Sequence, residues 1–202
     1  KVVNNGTAAL HLAYLAIGLK KDDIVWTTPN TFVATANSAL YCGATIDFVD
    51  INPKTYNLSI DCLKEKLIQA KEDNKLPKLV VPVHFAGQSC EMEEIWRLSQ
   101  EYGFKVIEDA CHALGGEYQN NKIGCCKYSD MAVFSFHPVK MITTGEGGAI
   151  TTNNKQLDEK IDLLRSHGIT KNATKFDNES DGGWYYEQQA LGFNYRLTDI
   201  QA

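Results

Sequence analysis

One lysine, Lys140, follows the apolar run Met131 to Phe136 and precedes the cluster Gly145-Glu146-Gly147-Gly148, with the hydroxyl of Ser135 five residues before it. Lysine turns into a nucleophile for carbonyl groups when burial disfavours its ammonium form, and a position just past a buried strand favours that. A lone loop lysine is otherwise simply solvated, so its company decides. Asp109 closes a second strand-like run, Phe104 to Ile107 and Glu108, just before Ala110-Cys111-His112. A carboxylate there is costly to bury unless it meets a positive partner: a protonated heterocycle, an arginine or a helix N-terminus. His112 suits a second ligand contact or a hydrogen-bonded place in the core. Gly6-Thr7 opens an almost wholly apolar helix. Free N–H groups and the helix dipole at such a start attract phosphate, although the same pair also suits a plain cap.

A phosphate site, a buried carboxylate and a lysine able to form a Schiff base are together what pyridoxal 5'-phosphate requires. N–H groups and hydroxyls anchor its phosphate, an acid keeps its pyridine nitrogen protonated, and the lysine bonds its aldehyde. Coincidence explains one such feature more easily than three.

The elements that would carry these residues alternate along the chain. Helices are expected over Ala8–Leu19, Phe32–Cys42, from a cap at Ser59 or Asp61 to about Lys71, over Met92–Tyr102 (stopped by Gly103) and over Leu157–Arg165. Strands are expected at Ile24–Thr28, Thr45–Val49, Leu79–Val83, Phe104–Ile107, Met131–Phe136 and Ala149–Thr152, and a mobile loop at Thr170–Tyr186. This alternation predicts an α/β fold: three layers, α/β/α, around a mainly parallel sheet with ligands at the carboxyl ends of its strands. Residues 1–202 read as one domain.

The 202 residues carry a net charge of -5, which gives no basic patch for nucleic acid or an acidic membrane surface. No apolar run approaches the length of a membrane span, and the N-terminus does not read as a signal peptide. The six cysteines form no Cys-x-x-Cys pair and no zinc-like spacing with the five histidines, so no metal is expected; reduced thiols in a cytoplasmic protein are. The chain opens on Lys1 and closes in what reads as the beginning of a helix, so a piece of a longer protein is expected.

Six segments carry a resemblance: Asn5 to Leu10, Thr31 to Asn37, Glu108 to Ala113, Ser135 to Lys140, Gly145 to Ala149 and Gly192 to Asp199. In this order they resemble the DegT/DnrJ/EryC1/StrS sugar aminotransferases, which have the aspartate-aminotransferase fold (fold type I). The pairing of Glu117-Tyr118-Gln119-Asn120 with Arg165-Ser166-His167-Gly168 looks closest to the branch that aminates a UDP-4-keto-6-deoxy-N-acetylhexosamine on the pseudaminic acid pathway. The resemblance implies that 1–202 is the cofactor-binding large domain, lacking an N-terminal segment and a small C-terminal domain. It also implies that Thr7, Ala8 and Ser135 bind the cofactor phosphate, Phe32 stacks on the ring, Asp109 pairs with the ring nitrogen, His112 sits beside it, and Lys140 bonds the aldehyde. Asn194 would reach the phosphate of a neighbouring subunit, which implies a homodimer with shared sites. His167 and Tyr195 would lie near the sugar. Asn5 departs from the family, where serine is common.

The implied activity moves an amino group from glutamate to a nucleotide-linked 4-keto-6-deoxy sugar for cell-surface or flagellar glycans. Relatives that dehydrate sugars replace the lysine by histidine, so Lys140 argues against that reading. A non-catalytic module that holds cofactor or sugar nucleotide is the rival from another class. A dinucleotide oxidoreductase is weaker, because no Gly-x-Gly-x-x-Gly opens a helix after the first strand.

Overall fold

The computed structural model describes residues 1–202. Its strands and helices follow from where apolar residues cluster. Leu79–Val81 (β4) and Met131–Ser135 (β8) are β-branched or bulky and buried almost throughout, as strands covered on both faces must be. With Val2–Val3 (β1), Ile24–Thr27 (β2), Thr45–Phe48 (β3), Lys105–Asp109 (β5) and Gly148–Thr151 (β9) they form a seven-stranded sheet of order β1-β9-β8-β5-β4-β2-β3. Strands β3, β2, β4, β5 and β8 run parallel, while β9 is antiparallel to both β8 and β1. Two short ribbons lie outside it: Glu117–Tyr118 (β6) with Asn121–Lys122 (β7), and Ile169–Thr170 (β10) with Glu187–Gln188 (β11).

Gly6–Ala16 (α1), Val33–Tyr41 (α2) and Lys155–Arg165 (α5) cover one face. Ile60–Glu72 (α3) and Met92–Tyr102 (α4) cover the other. Helix α1 is nearly all apolar because it is enclosed: it packs on β8 and β9 from above while α2 and α5 flank it. Ser59 caps α3 by accepting from the Cys62 N–H, and Gly103 ends α4 in the left-handed conformation at φ 81°, where glycine carries no Cβ penalty.

The expected helices and strands are present, with ends shifted by a few residues. Three features differ from expectation. The start of the chain supplies a sheet strand, β1, too short to show any periodicity. Helix α1 begins at Gly6 rather than Ala8, because Asn5 caps it. The expected loop at 170–186 begins one residue later, inside a ribbon: Thr170 ends β10, Ala173–Lys175 forms a short helical turn, and the Glu187 carboxylate accepts from the Asp177 and Asn178 N–H groups.

This topology places three chain segments at one edge of the sheet. β5 ends there at Asp109 and β8 ends there at Ser135. β1 also points there, since two antiparallel steps make it parallel to β8, and it delivers the start of α1. Close approach depends on glycine. A Cβ at Gly148 would come within 2.7 Å of the Asn5 carbonyl oxygen and 3.0 Å of the Gly6 nitrogen, both backbone atoms that cannot yield. Gly148→Ala should therefore cost about 1–3 kcal/mol of stability in urea unfolding. Gly183→Ala, where an added Cβ meets nothing within 4 Å, should change it by less than about 0.5 kcal/mol. Equal midpoints for the two variants would show that α1 does not need this approach.

Candidate active site

A cavity of about 770 Å³ opens at that edge, lined by the start of α1, the first turns of α2, the end of β5 and the loop after β8. Thr7, Ala8, Phe32, Asp109, His112, Ser135 and Lys140 all line it. Of the residues singled out from the sequence as cofactor ligands, Asn194 alone lies outside. It is exposed and its backbone bridges Ser166. His167 is likewise outside the lining, held in a left-handed turn by its N–H donating to the Phe193 carbonyl. Tyr195 does line the cavity.

At the helix start, the Asn5 side chain accepts from the Ala8 N–H at 2.8 Å. That bond takes up the Ala8 N–H that was expected to bind the phosphate, a difference from the expectation caused by the Asn5 cap, and leaves the Gly6 and Thr7 N–H groups, first in the helix, with no intrahelical acceptor. Ser135 stands beside them: a Cβ on Gly6 would sit 3.1 Å from its Oγ. Two outward N–H groups, a helix dipole and a hydroxyl converge, and the glycine keeps the approach open. This arrangement fits a phosphate.

Asp109 is 5% exposed, yet its carboxylate is not bare. Oδ2 accepts from the Thr35 hydroxyl at 2.7 Å, and Oδ1 accepts from the Cys111 N–H at 3.2 Å. Thr31 and Thr35 share a hydrogen bond of 2.9 Å one helical turn apart, so the N-terminal turn of α2 orients the acid. No arginine or lysine salt-bridges it, so a cationic ring nitrogen fits as its positive partner. Burial, with Asp109 adding to it, pushes the neighbouring Cys111 thiol well up, which disfavours its thiolate. Burial and then the Lys140 cation lower the pKa of His112, with Asp109 opposing. A neutral imidazole is thereby favoured beside the cavity.

The adjacent Glu108 points to the opposite face of β5. It accepts from His84 Nε2 at 2.8 Å and from the Ser129 hydroxyl. The Cys90 N–H donates to His84 Nδ1 at 3.1 Å, which fixes the proton on Nε2. The same strand is held from the side by its backbone: the Asp109 N–H donates to the Pro82 carbonyl and the His84 N–H to the Asp109 carbonyl.

Lys140 is half-buried in a turn, its N–H donating to the His137 carbonyl at 2.9 Å. Phe32, at the N-cap of α2, is 73% exposed and lies over the cavity rather than in the core. Thr31, Thr35, Tyr41, His137 and Glu146 also line the cavity and were not singled out from the sequence. The spacing of Thr31 and Thr35, four residues apart at a helix start, is a signal that could have found that pair.

The DegT/DnrJ/EryC1/StrS aminotransferase family matches residues 2–202. A UDP-4-amino-4,6-dideoxy-N-acetyl-beta-L-altrosamine transaminase of Campylobacter jejuni is 46% identical over 98% of this chain and 49% of its own length. A GDP-perosamine synthase of Caulobacter vibrioides is 43% identical over 98% of this chain and 48% of its own. Among solved structures, Helicobacter pylori PseC, an aminotransferase involved in the biosynthesis of pseudoaminic acid, superposes with a TM-score of 0.85 at 39% identity, covering 99% of this chain and 50% of that one. NtdA of Bacillus subtilis with bound cofactor PMP gives 0.80 at 30% identity, covering 99% and 41%. The chain thus spans about half the length of the curated relatives it matches. A family match across almost every residue, on an α/β sheet with this cavity at its strand ends, identifies the chain as a member of the DegT/DnrJ/EryC1/StrS aminotransferase family.

Proposed function

We propose that the protein of which this chain is part moves an amino group from glutamate to a nucleotide-linked 4-keto-6-deoxy sugar, using pyridoxal phosphate, for surface or flagellar glycans. One observation carries this reading: Lys140, Asp109 and the open start of α1 line a single cavity. The UDP-linked N-acetylhexosamine is favoured as acceptor because relatives from Campylobacter and Helicobacter carry that substrate's product class in their names. The Caulobacter relative is named for a GDP sugar, so the nucleotide is the finer part of the proposal. Glutamate as donor rests on the family resemblance.

Pyridoxal phosphate, when bound, supplies an aldehyde that takes up amines and a ring that draws electrons from the bonds beside it. The Gly6 and Thr7 N–H groups and the Ser135 hydroxyl would hold its phosphate, and the Asp109 carboxylate its ring N–H. Phe32 would cover one ring face, and His112 would stand beside it. The Lys140 amine, when not bonded to the aldehyde, would take the proton from the donor's α-carbon as general base and, as its ammonium, return it as general acid to the carbon of the cofactor that carries the nitrogen. In the second half it does the reverse on the sugar carbon that receives nitrogen. Asp109 favours these proton transfers by keeping a negative charge opposite the ring nitrogen throughout.

A homodimer with shared sites belongs to the same proposal. Its support is apolar surface beside the cavity: Phe32, Val33, Leu40 and Tyr41 on or next to α2, and Val139, Met141 and Ile142 in the Lys140 loop, are all exposed. Asn194, exposed and outside its own cavity, would serve a neighbour in this reading. Residues 1–202 serve as one cofactor-binding domain, and no helix is long and apolar enough to cross a membrane.

Borohydride treatment of the purified full-length protein should bleach its yellow colour and add the cofactor's mass to the peptide containing Lys140. Glutamate should discharge the colour without borohydride, and a panel of UDP-, GDP- and dTDP-linked keto-sugars should restore it, fastest with the UDP-linked N-acetylhexosamine. A protein that stays colourless, or whose label falls elsewhere, refutes the reading. Lys140→Ala should lower turnover by roughly 10³-fold or more while preserving the circular dichroism spectrum. Asp109→Asn should lower it by roughly 10²-fold, and a normal rate would remove the acid from the mechanism. Thr35→Val, which strips the buried carboxylate of its shortest hydrogen bond, should cost about 1–3 kcal/mol of stability and weaken cofactor retention in dialysis.

A further inference from the structure

The loop that carries Lys140 leaves β8 and returns as β9. Its base is closed by backbone: the Phe136 N–H donates to the Gly147 carbonyl at 2.8 Å, and the Thr144 N–H and Thr143 hydroxyl both donate to the Phe136 carbonyl. The next pair outward is His137 and Glu146. No backbone bond joins these two; their side chains face each other instead, with His137 Nε2 3.8 Å from Glu146 Oε1. The other ring nitrogen is used as well, since His137 Nδ1 accepts from the Val139 N–H at 3.3 Å. An acceptor at Nδ1 puts the proton on Nε2, which is the nitrogen facing the carboxylate. One imidazole thus hydrogen-bonds the turn before Lys140 and faces, at ion-pair distance, the Glu146 side chain two residues before β9.

We propose that His137 and Glu146 are positioning residues whose side chains clasp the loop across its two sides and hold the Lys140 amine in the cavity. The clasp is needed because the turn is otherwise thinly supported. Pro138 offers no N–H, Val139 is 77% exposed, and Lys140 has one backbone bond, to the His137 carbonyl. Without the imidazole the Val139 N–H faces water and the turn opens by local fluctuation, carrying the lysine with it. Histidine is required by geometry. Asparagine can accept from an N–H two residues on, as in an Asx turn, but is too short to reach Glu146 as well. This inference rests on Lys140 being the reactive amine, and it adds which residues aim it.

The test separates the clasp from the chemistry. Amide hydrogen exchange on the cofactor-free full-length protein should show Val139 exchanging about tenfold faster in His137→Ala than in wild type, with the core of β8 unchanged. His137→Asn should restore protection at Val139, and Glu146→Gln should leave it intact. In the loaded enzyme, His137→Ala should lower kcat about tenfold with KM for both substrates within about twofold. His137→Asn should fall between it and wild type, since it keeps only the arm to Val139, and so should Glu146→Ala, which keeps the imidazole but removes the side chain it faces. Unchanged Val139 exchange in His137→Ala, or an asparagine variant no better than the alanine one in exchange, overturns the clasp. If borohydride fails to label Lys140 in wild type, the functional reading falls while the exchange comparison still decides the clasp.

Discussion

How near the first helix can come to the sheet sets everything at the strand ends. Helix α1 starts against Ser135 and Gly148 with only backbone between them, and its alanine-rich flank lets it lie close along β8 and β9. Because of that contact, two unpaired N–H groups face the same space as a serine hydroxyl and a lysine. A larger residue at Gly148 would push the helix outward and separate the phosphate-attracting end from the rest of the cavity. The apolar sequence of α1 is the counterpart of this placement, since a helix enclosed by a sheet and two other helices has no face to give to water.

Strand β5 solves a second problem, that of ending a buried strand with two acids. Alternation sends Glu108 and Asp109 to opposite faces, so each meets its own set of donors. Glu108 is satisfied by His84 and Ser129 within the protein. Asp109 has Thr35 and the Cys111 N–H but no cationic side chain, which leaves it able to accept one more proton-bearing partner. The contrast between a finished pair and an unfinished one is what supports Asp109, rather than Glu108, as the acid proposed to meet the cofactor ring.

Much of this was legible in the sequence, and for identifiable reasons. Lys140 and Asp109 stand out because each follows an apolar run that reads as a buried strand, Ser135 because it lies near the end of one, and Gly6-Thr7 because it opens an apolar helix; residue type limits what each can do there. Strand direction was not legible: nothing in Gly148–Thr151 distinguishes an antiparallel neighbour from a parallel one, and Val2–Val3 is too short to have a period. Thr35 went unnoticed because a helical threonine reads as neutral until its hydroxyl is seen to bond an acid from another strand. The relation of His137 to Glu146 exists only once the loop between them closes, so no local pattern encodes it.

The hairpin that holds Lys140 has a kinetic consequence. Among neighbouring strands of the sheet, β8 and β9 are joined by the shortest stretch of chain; the parallel pairs need longer crossovers, helix-bearing except between β5 and β8, and β1 must wait for β9, well over a hundred residues away. Closing a short connection forfeits the least chain entropy, so local antiparallel pairing forms ahead of distant pairing. Lys140 is therefore expected to acquire its surroundings from its own neighbourhood early in folding, with Asp109 and the start of α1 brought to it later by the slower docking of remote segments.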